Sequence, residues 1–301
     1  MEKAIVKFDK MQPLFSQRNH ILILDWSNVV ARAFSVAGES ETHFFTRLLS
    51  MVHNYRESFN NYEFVFALEG KGKQERRKLF PQYKFGARKS LNIPQKYYHK
   101  SLELLNFFAG KQIKAPLGEA DDAIAAFLRQ KVSLTDQIGI ITEDKDLWQL
   151  IQDPFRWVES SKRGRITESE VNQILKGLKP SDILLHKVLY GDISDNIPKV
   201  PQLRSQTITK IVRKVYTFKN LQTFLKKLQN KNLSWITKKE KENLLLCKEQ
   251  IKLNYKLVKL RDDLNILVKN KKSKPNKLKK FLITSNVFSF STEELNVITG
   301  K

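Results

Sequence analysis

HILILD, residues 20–25, sets four aliphatic side chains in a row between His20 and Asp25. A run this short, half of it β-branched and stopped by a carboxylate, predicts a buried strand rather than a helix. YEFVFALE (62–69) and QIGIIT (137–142) repeat the pattern, and KQIKAP (111–116) predicts a shorter strand. Apolar residues at helical spacing occupy 41–58, 94–109 and 119–131. Strands that alternate with helices predict a parallel sheet with right-handed crossovers and helices on both faces, an α/β fold.

TESE (167–170) matches a capping box, with Thr167 as N-cap and Glu170 three positions on, and KPSDILLHKVLYG from residue 179 opens a mostly helical half. The expected division is an α/β domain over 1–178 and a smaller, basic helical domain over 179–301 that adds Asp192 and Asp195 to the first. KNKKSKPNKLKK (269–280), with seven lysines in twelve residues around Pro275, predicts an exposed loop or tether.

With 301 residues, 41% hydrophobic and 28% charged, the chain has the composition of a soluble globular protein. No apolar run approaches the roughly 18 to 20 residues of a membrane span, and the first twenty residues lack a signal peptide's apolar core, so a cytoplasmic location and no membrane contact are expected. One cysteine, Cys247, excludes an intrachain disulfide framework and a cysteine-rich zinc site. The formal net charge is +23, and it is uneven: residues 179–301 carry 27 Lys/Arg against 10 Asp/Glu, net +17, leaving +6 on residues 1–178. Such asymmetry favours a polyanionic partner, against the plainer reading of a lysine-rich surface.

In so basic a chain the carboxylates are crowded. In an open parallel sheet, ligands bind outside the carboxyl ends of the strands. Asp25 closes the first predicted strand and Glu69 the second; Asp144 and Asp146 follow the third in TEDKD; GEADD (118–122) places Glu119, Asp121 and Asp122 at the start of a helix; and GDISDN (191–196) adds Asp192 and Asp195. Helix capping explains one or two acids at a helix start, and turn formation explains Asp144 or Asp195 taken alone. Nine carboxylates around one cleft would raise one another's pKa values unless cations were bound. All-oxygen ligands suit hard divalent ions such as Mg²⁺ or Mn²⁺. The five histidines show no zinc-binding spacing.

After Glu69 runs GKGKQERRKLFPQYKFGARK (70–89). Gly70 and Gly72 allow close approach of backbone to a ligand, and Lys71, Lys73, Arg76, Arg77, Lys84 and Arg88 offer phosphate contacts. Tyr83 either stacks on an unpaired base or anchors the loop.

These residues resemble the 5′ nucleases, the family of flap endonucleases, phage 5′-to-3′ exonucleases and the 5′-nuclease domain of bacterial DNA polymerase I. The resemblance rests on Asp25 with Asn28, EGKGK running to FPQYK, GEADD, TEDKD and GDISDN, in that order over about residues 20–198. It implies a PIN-like nuclease core and a two-metal phosphodiesterase acting near 5′ ends or flaps, with two Mg²⁺ ions that Mn²⁺ can replace. By the same resemblance Asp25, Glu69, Glu119, Asp121 and Asp122 surround a first metal, and Asp144, Asp146, Asp192 and Asp195 a second. Lys84 and Arg76 are placed on the reacting phosphate, and residues from about 84 to 100 form an arch that admits single strands.

Glu69 stands where relatives more often have Asp, Trp26 replaces a usual glycine, and NIPKVPQLRSQTITK (196–210) lacks the glycines of a duplex-gripping hairpin. The resemblance is therefore nearest to the stand-alone phage RNase H-like 5′ nucleases, which remove RNA primers and adjacent DNA in replication. DNA and RNA–DNA hybrids are the expected substrates, with a monomeric enzyme and a single-strand-binding protein as a further partner. Lys199, Arg204, Lys271, Lys272 and Lys274 are expected to grip nucleic acid beside the site. Two other readings remain at this stage, a PIN-type ribonuclease and a structure-specific DNA-binding protein without catalysis.

Overall fold

The computed structural model describes residues 18–86, 93–215, 221–230 and 235–301. Among them seven strands form one sheet in the order β6-β5-β4-β1-β2-β3-β7. The strands are β1 (His20–Asp25), β2 (Glu63–Leu68), β3 (Gly110–Lys114), β4 (Gln137–Ile141), β5 (Arg156–Ser160), β6 (Gly164–Ile166) and β7 (Leu267–Lys271). β1 is flanked by parallel β2 and β4, β3 and β5 continue the parallel run, and antiparallel β6 and β7 close the two edges. Side chains of β1 alternate between two cores: Leu22 and Leu24 enter one face, Ile21 and Ile23 the other.

The first face is covered by α1 (Trp26–Ala37), α2 (Glu41–Ser58) and α4 (Gln95–Leu104). Trp26, at the position where a glycine was expected, is fully buried here. Its indole N–H donates to Ser101 Oγ at 3.2 Å, and its ring meets Phe66 edge-on at 5.7 Å. Between β2 and α4 lies α3 (Gly72–Leu79), on the basic loop. The opposite face is covered mainly by α5 (Ala120–Lys131), whose Ile124, Phe127 and Leu128 pack on the sheet. α6 (Glu168–Ile174) starts at the expected capping box, Thr167 with Glu170.

Beyond it, α7 (Ile183–Tyr190), α8 (Ser205–Val215), α9 (Leu221–Asn230), α10 (Lys238–Leu246) and α11 (Lys248–Val258) build a separate helical core, with Val188, Ile208, Leu228, Leu244 and Ile251 fully buried in it. The chain then returns. β7 pairs with β3, and α12 (Pro275–Thr284) and α13 (Thr292–Thr299) bury Leu278, Leu282, Leu295 and Ile298 against the first face, where Phe281 meets Phe45 edge-on. Two expectations are corrected by this return. Residues from 267 onward pack with the α/β layers rather than with the helical domain, and 269–280 is an edge strand followed by a helix rather than a loop. The physical reason is the alternate burial of Leu278 and Leu282 beneath a lysine-rich outer face, a pattern that counting lysines conceals. Pro275 takes the first turn of α12, where its missing N–H costs nothing. Among the described residues no helix is long and apolar enough to cross a membrane.

Candidate active site at the carboxyl ends of the strands

Asp25 ends β1 and caps α1 by accepting from the Asn28 amide at 3.2 Å. Its other contacts are hydroxyls, Ser27 at 2.9 Å and Thr142 at 3.0 Å. Glu69, one residue past β2, shares Ser27 at 2.9 Å and accepts from the Ala120 amide at 3.1 Å. Glu119 caps α5 in a capping box with Asp122, so helix capping and site geometry are served by the same residues. Asp25, Glu69, Glu119, Asp121, Asp144 and Lys84 line one open cavity of about 480 Å³, together with Arg32, Glu143 and Lys162, which sequence reasoning missed.

A second cluster adjoins it: Asp146, Asp192 and Asp195 bring carboxylate oxygens within 4.8 Å of one another. GDISDN delivers two of them through a short loop closed by reciprocal bonds between Asp192 and Ile197, both 2.8 Å. Asn196, at φ 60°, donates to the Gln82 and Phe85 carbonyls, and the Lys84 amide donates to the Asp195 carbonyl at 3.0 Å. The two loops thus hold each other, and Lys84 Nζ reaches Glu119 at 2.5 Å and Asp195 at 3.9 Å across both clusters. Lys187 on α7, also missed, bonds Asp192 at 2.5 Å and contacts Asp146. No local motif marks it among the chain's many lysines.

The electrostatics divide eight of these acids into two groups. Burial pushes Glu69 up to about 7, with Asp25 and Glu119 adding to it. Asp25, Asp121, Asp144 and Asp195 are likewise raised, first by burial and then by neighbouring carboxylates. Burial would also raise Glu119, Asp122 and Asp192, but cationic partners outweigh it and hold them low: Lys84 and Arg76 at Glu119, Arg76 with Arg261 at Asp122, Lys187 at Asp192. Lys84 stays protonated because Glu119 and its other anionic neighbours outweigh its own burial.

Where a folded carboxylate has a raised pKa, the native state binds more protons than the unfolded chain between the two pKa values, so stability falls as pH rises. The cation-free protein is expected to lose stability between about pH 4.5 and 7, Glu69 alone accounting for about 3 kcal/mol. The carboxylates held low act below this window. Urea unfolding in chelator at pH 5 and pH 7.5 checks the sign.

Arg76 and Asp122 do not face the cavity. Arg76 is 3% exposed. Its guanidinium donates to Asp122 through two bonds of 2.8 Å, to Glu119 at 3.1 Å and to the Leu257 carbonyl at 3.0 Å. Asp122 also takes the Arg261 amide at 2.9 Å and its guanidinium at 2.8 Å. The expected phosphate contact by Arg76 and metal contact by Asp122 are corrected: both side chains are satisfied inside the protein and fix the start of α5. Gly70 and Gly72 likewise approach protein rather than ligand. Their amides donate to the Gly118 carbonyl at 3.1 and 3.0 Å, and a Cβ on Gly72 would lie 2.2 Å from the Glu119 amide nitrogen.

Of the expected nucleic-acid contacts, Lys71, Lys73 and Lys199 are exposed. Arg204 is exposed but paired with Glu240 at 3.3 Å. Tyr83 is 2% exposed and belongs to the helical core, with its hydroxyl donating to Asp195 at 3.3 Å, so anchoring rather than base stacking is its role. Arg77 donates to the Tyr83 and Lys84 carbonyls at 2.9 and 3.0 Å and so supports the turn that carries Lys84. Lys271 pairs in register with Gly110 at the start of β3, away from the carboxyl ends, and Lys272 and Lys274 follow it; these three stand at the wrong end of the sheet to grip a strand beside the cavity. Arg88 and part of the expected arch lie outside the described residues.

The family model for the 5′-3′ exonuclease N-terminal resolvase-like domain matches residues 20–176. The 5′-3′ exonuclease of Buchnera aphidicola from Acyrthosiphon pisum is 27% identical over 231 residues, 74% of this chain and 78% of that protein. The 5′-3′ exonuclease of Aquifex aeolicus is 28% identical over 278 residues, 87% and 90% of the two chains. DNA polymerase I of Thermus aquaticus is 24% identical over 86% of this chain but only 30% of its own length. Among solved structures, T5 5′-exonuclease with bound zinc shares the fold at a TM-score of 0.65 and 18% identity, covering 93% of this chain and 97% of that one. The catalytic core of Rad2 in complex with DNA substrate does so at 0.54 and 17%, covering 93% and 91%. With its strand-end carboxylates on this sheet and the family's domain spanning residues 20–176, the chain belongs to the 5′-3′ exonuclease family.

Proposed function

We propose that this protein is a divalent-metal-dependent 5′-to-3′ exonuclease and flap endonuclease. The observation that carries the reading is the open cavity lined by Asp25, Glu69, Glu119, Asp121 and Asp144 beside the cluster of Asp146, Asp192 and Asp195. The donor set fits Mg²⁺ or Mn²⁺: it is all oxygen, and several of its carboxylates are raised by burial and then by one another, a repulsion that a bound cation would relieve. Asp25, Glu69, Glu119, Asp121 and Asp144 would hold a first ion, and Asp146, Asp192 and Asp195 a second. Bound ions supply Lewis-acid activation of water and of the phosphodiester.

The protein's own groups do the rest. Ser27 and Thr142 fix the carboxylate rotamers of Asp25 and Glu69 by hydroxyl bonds. Lys84, held protonated by its anionic neighbours and 28% exposed between the two clusters, would donate to phosphate oxygens as charge builds on them. Arg32 and Lys162 sit on the cavity wall and offer positive charge to the strand on either side of the scissile phosphate. The substrates proposed are 5′ ends and flaps of DNA and RNA primers paired to DNA, as in phage or bacterial replication, acted on by a monomer.

A 5′-labelled DNA flap, a blunt duplex, an RNA–DNA hybrid and single-stranded RNA, each with Mg²⁺ or with EDTA, test this directly. Mg²⁺-dependent release of short 5′ fragments from the flap and the hybrid is expected. Cleavage that survives EDTA, or cleavage confined to single-stranded RNA, would overturn the reading.

A further inference from the structure

α7 carries His186 and Tyr190 four positions apart, hence on one helix face. Their rings lie nearly parallel, 5.3 Å between centroids at 14°, and Lys199 Nζ stands 4.9 Å from the Tyr190 centroid. Tyr190 is 44% exposed and Ile193 beside it 94% exposed. Together with Lys187 and Asp192 these side chains line a second cavity of about 480 Å³. That volume is within the usual range for a small-ligand site.

We propose that the stacked His186–Tyr190 pair, with Lys199, forms a subsite that takes one unpaired nucleobase of the bound strand. The proposal rests on the nuclease reading and adds to it where the strand goes beyond the reacting phosphate. Three features favour a nucleotide over another occupant. Asp192 belongs both to this cavity and to the carboxylate cluster, so the subsite is continuous with the place proposed for phosphodiester chemistry. An aromatic stack ending on an exposed ring offers a flat apolar face, which any base can extend. Lys199 is exposed and, among the described residues, its ammonium is held only by the ring, so it can move from that face to a backbone phosphate as the base arrives. Burial holds His186 below the usual imidazole range, which keeps the inner ring uncharged at neutral pH and leaves the cationic role to the lysines.

The test places 2-aminopurine in turn at each unpaired position near the junction of a 5′-flap DNA, with Ca²⁺ in place of Mg²⁺ so that the strand stays intact. One position is expected to be quenched on binding. Tyr190→Leu should abolish that quench and weaken flap binding roughly 5- to 150-fold, the range of base–aromatic stacking, while Tyr190→Trp restores both. A quench that survives Tyr190→Leu undiminished, or none at any position although the parent protein cleaves the same flap with Mg²⁺, overturns the subsite and leaves the nuclease reading standing. A protein that neither binds nor cleaves the flap overturns both. Circular dichroism of Tyr190→Leu, whose side chain is largely outside the core, separates lost stacking from lost fold.

Discussion

Asp121→Asn is expected to lower flap cleavage on the order of 10³-fold while nucleic-acid affinity stays equal or rises. Asp121 lines the open cavity, and among the described residues no ion pair reaches it. Among the described residues the one hydrogen bond to its carboxylate is from the Asp122 amide at 2.7 Å, which leaves lone pairs free for a cation in the cavity. The amide of asparagine keeps the shape and removes the charge, so a loss of turnover reports loss of cation binding rather than of fold. Removing a negative group near a bound phosphate accounts for the unchanged or tighter binding. Single-turnover cleavage at saturating Mg²⁺, paired with flap affinity in Ca²⁺, decides it; cleavage within a few-fold of the parent would remove Asp121 from the ligand set.

Arg76→Ala has a large effect of another kind, expected as a loss of about 3 to 5 kcal/mol of stability, the usual cost of breaking a buried ion pair from one side. The guanidinium is the buried partner of both Asp122 and Glu119 and ties α5 to the end of α11 through the Leu257 carbonyl. Without it Asp122, fully buried, depends among the described residues on Arg261 alone for cationic compensation. Urea unfolding measures the loss, and Arg76→Lys should recover little of it, because one ammonium cannot reproduce the paired bonds to Asp122. A variant of parental stability that bound nucleic acid poorly would instead make Arg76 a phosphate contact.

Both variants concern motifs that were legible in the chain, and they show where legibility stops. Asp25, Glu69 and Asp144 were readable because each ends or follows a strand, and in a parallel sheet every strand of that direction delivers its last residue to the same rim. GEADD could be read as a group, but not divided. Asp121 and Asp122 are adjacent acids at a helix start; one opens to the cavity and the other meets two arginines from distant segments, 46 and 139 positions away. Tyr83 was left open between base and core for the same reason, since an aromatic in a basic loop serves either end until its neighbours are known. The lysine-rich tail was misplaced because charge is counted along the chain, whereas Leu278 and Leu282 are counted by which face they turn inward.

By itself the sequence determined what depends on short-range order: strand and helix periods, a capping box at Thr167 and a helix start at Glu119, the parallel direction implied by alternating elements, and the rim on which the acids fall. Only the tertiary structure decided which carboxylates remain uncompensated, because that depends chiefly on cations brought from far along the chain, Arg76, Lys84 and Arg261, and on the turn of α7 that sets Lys187 against Asp192. It also decided that the last segment returns to the first core and that His186 and Tyr190 stack beside Asp192. The physical reason is common to all three. Periodicity and capping act over a few residues, whereas desolvation and charge compensation are set by whatever the fold brings within a few ångströms, at any distance in sequence.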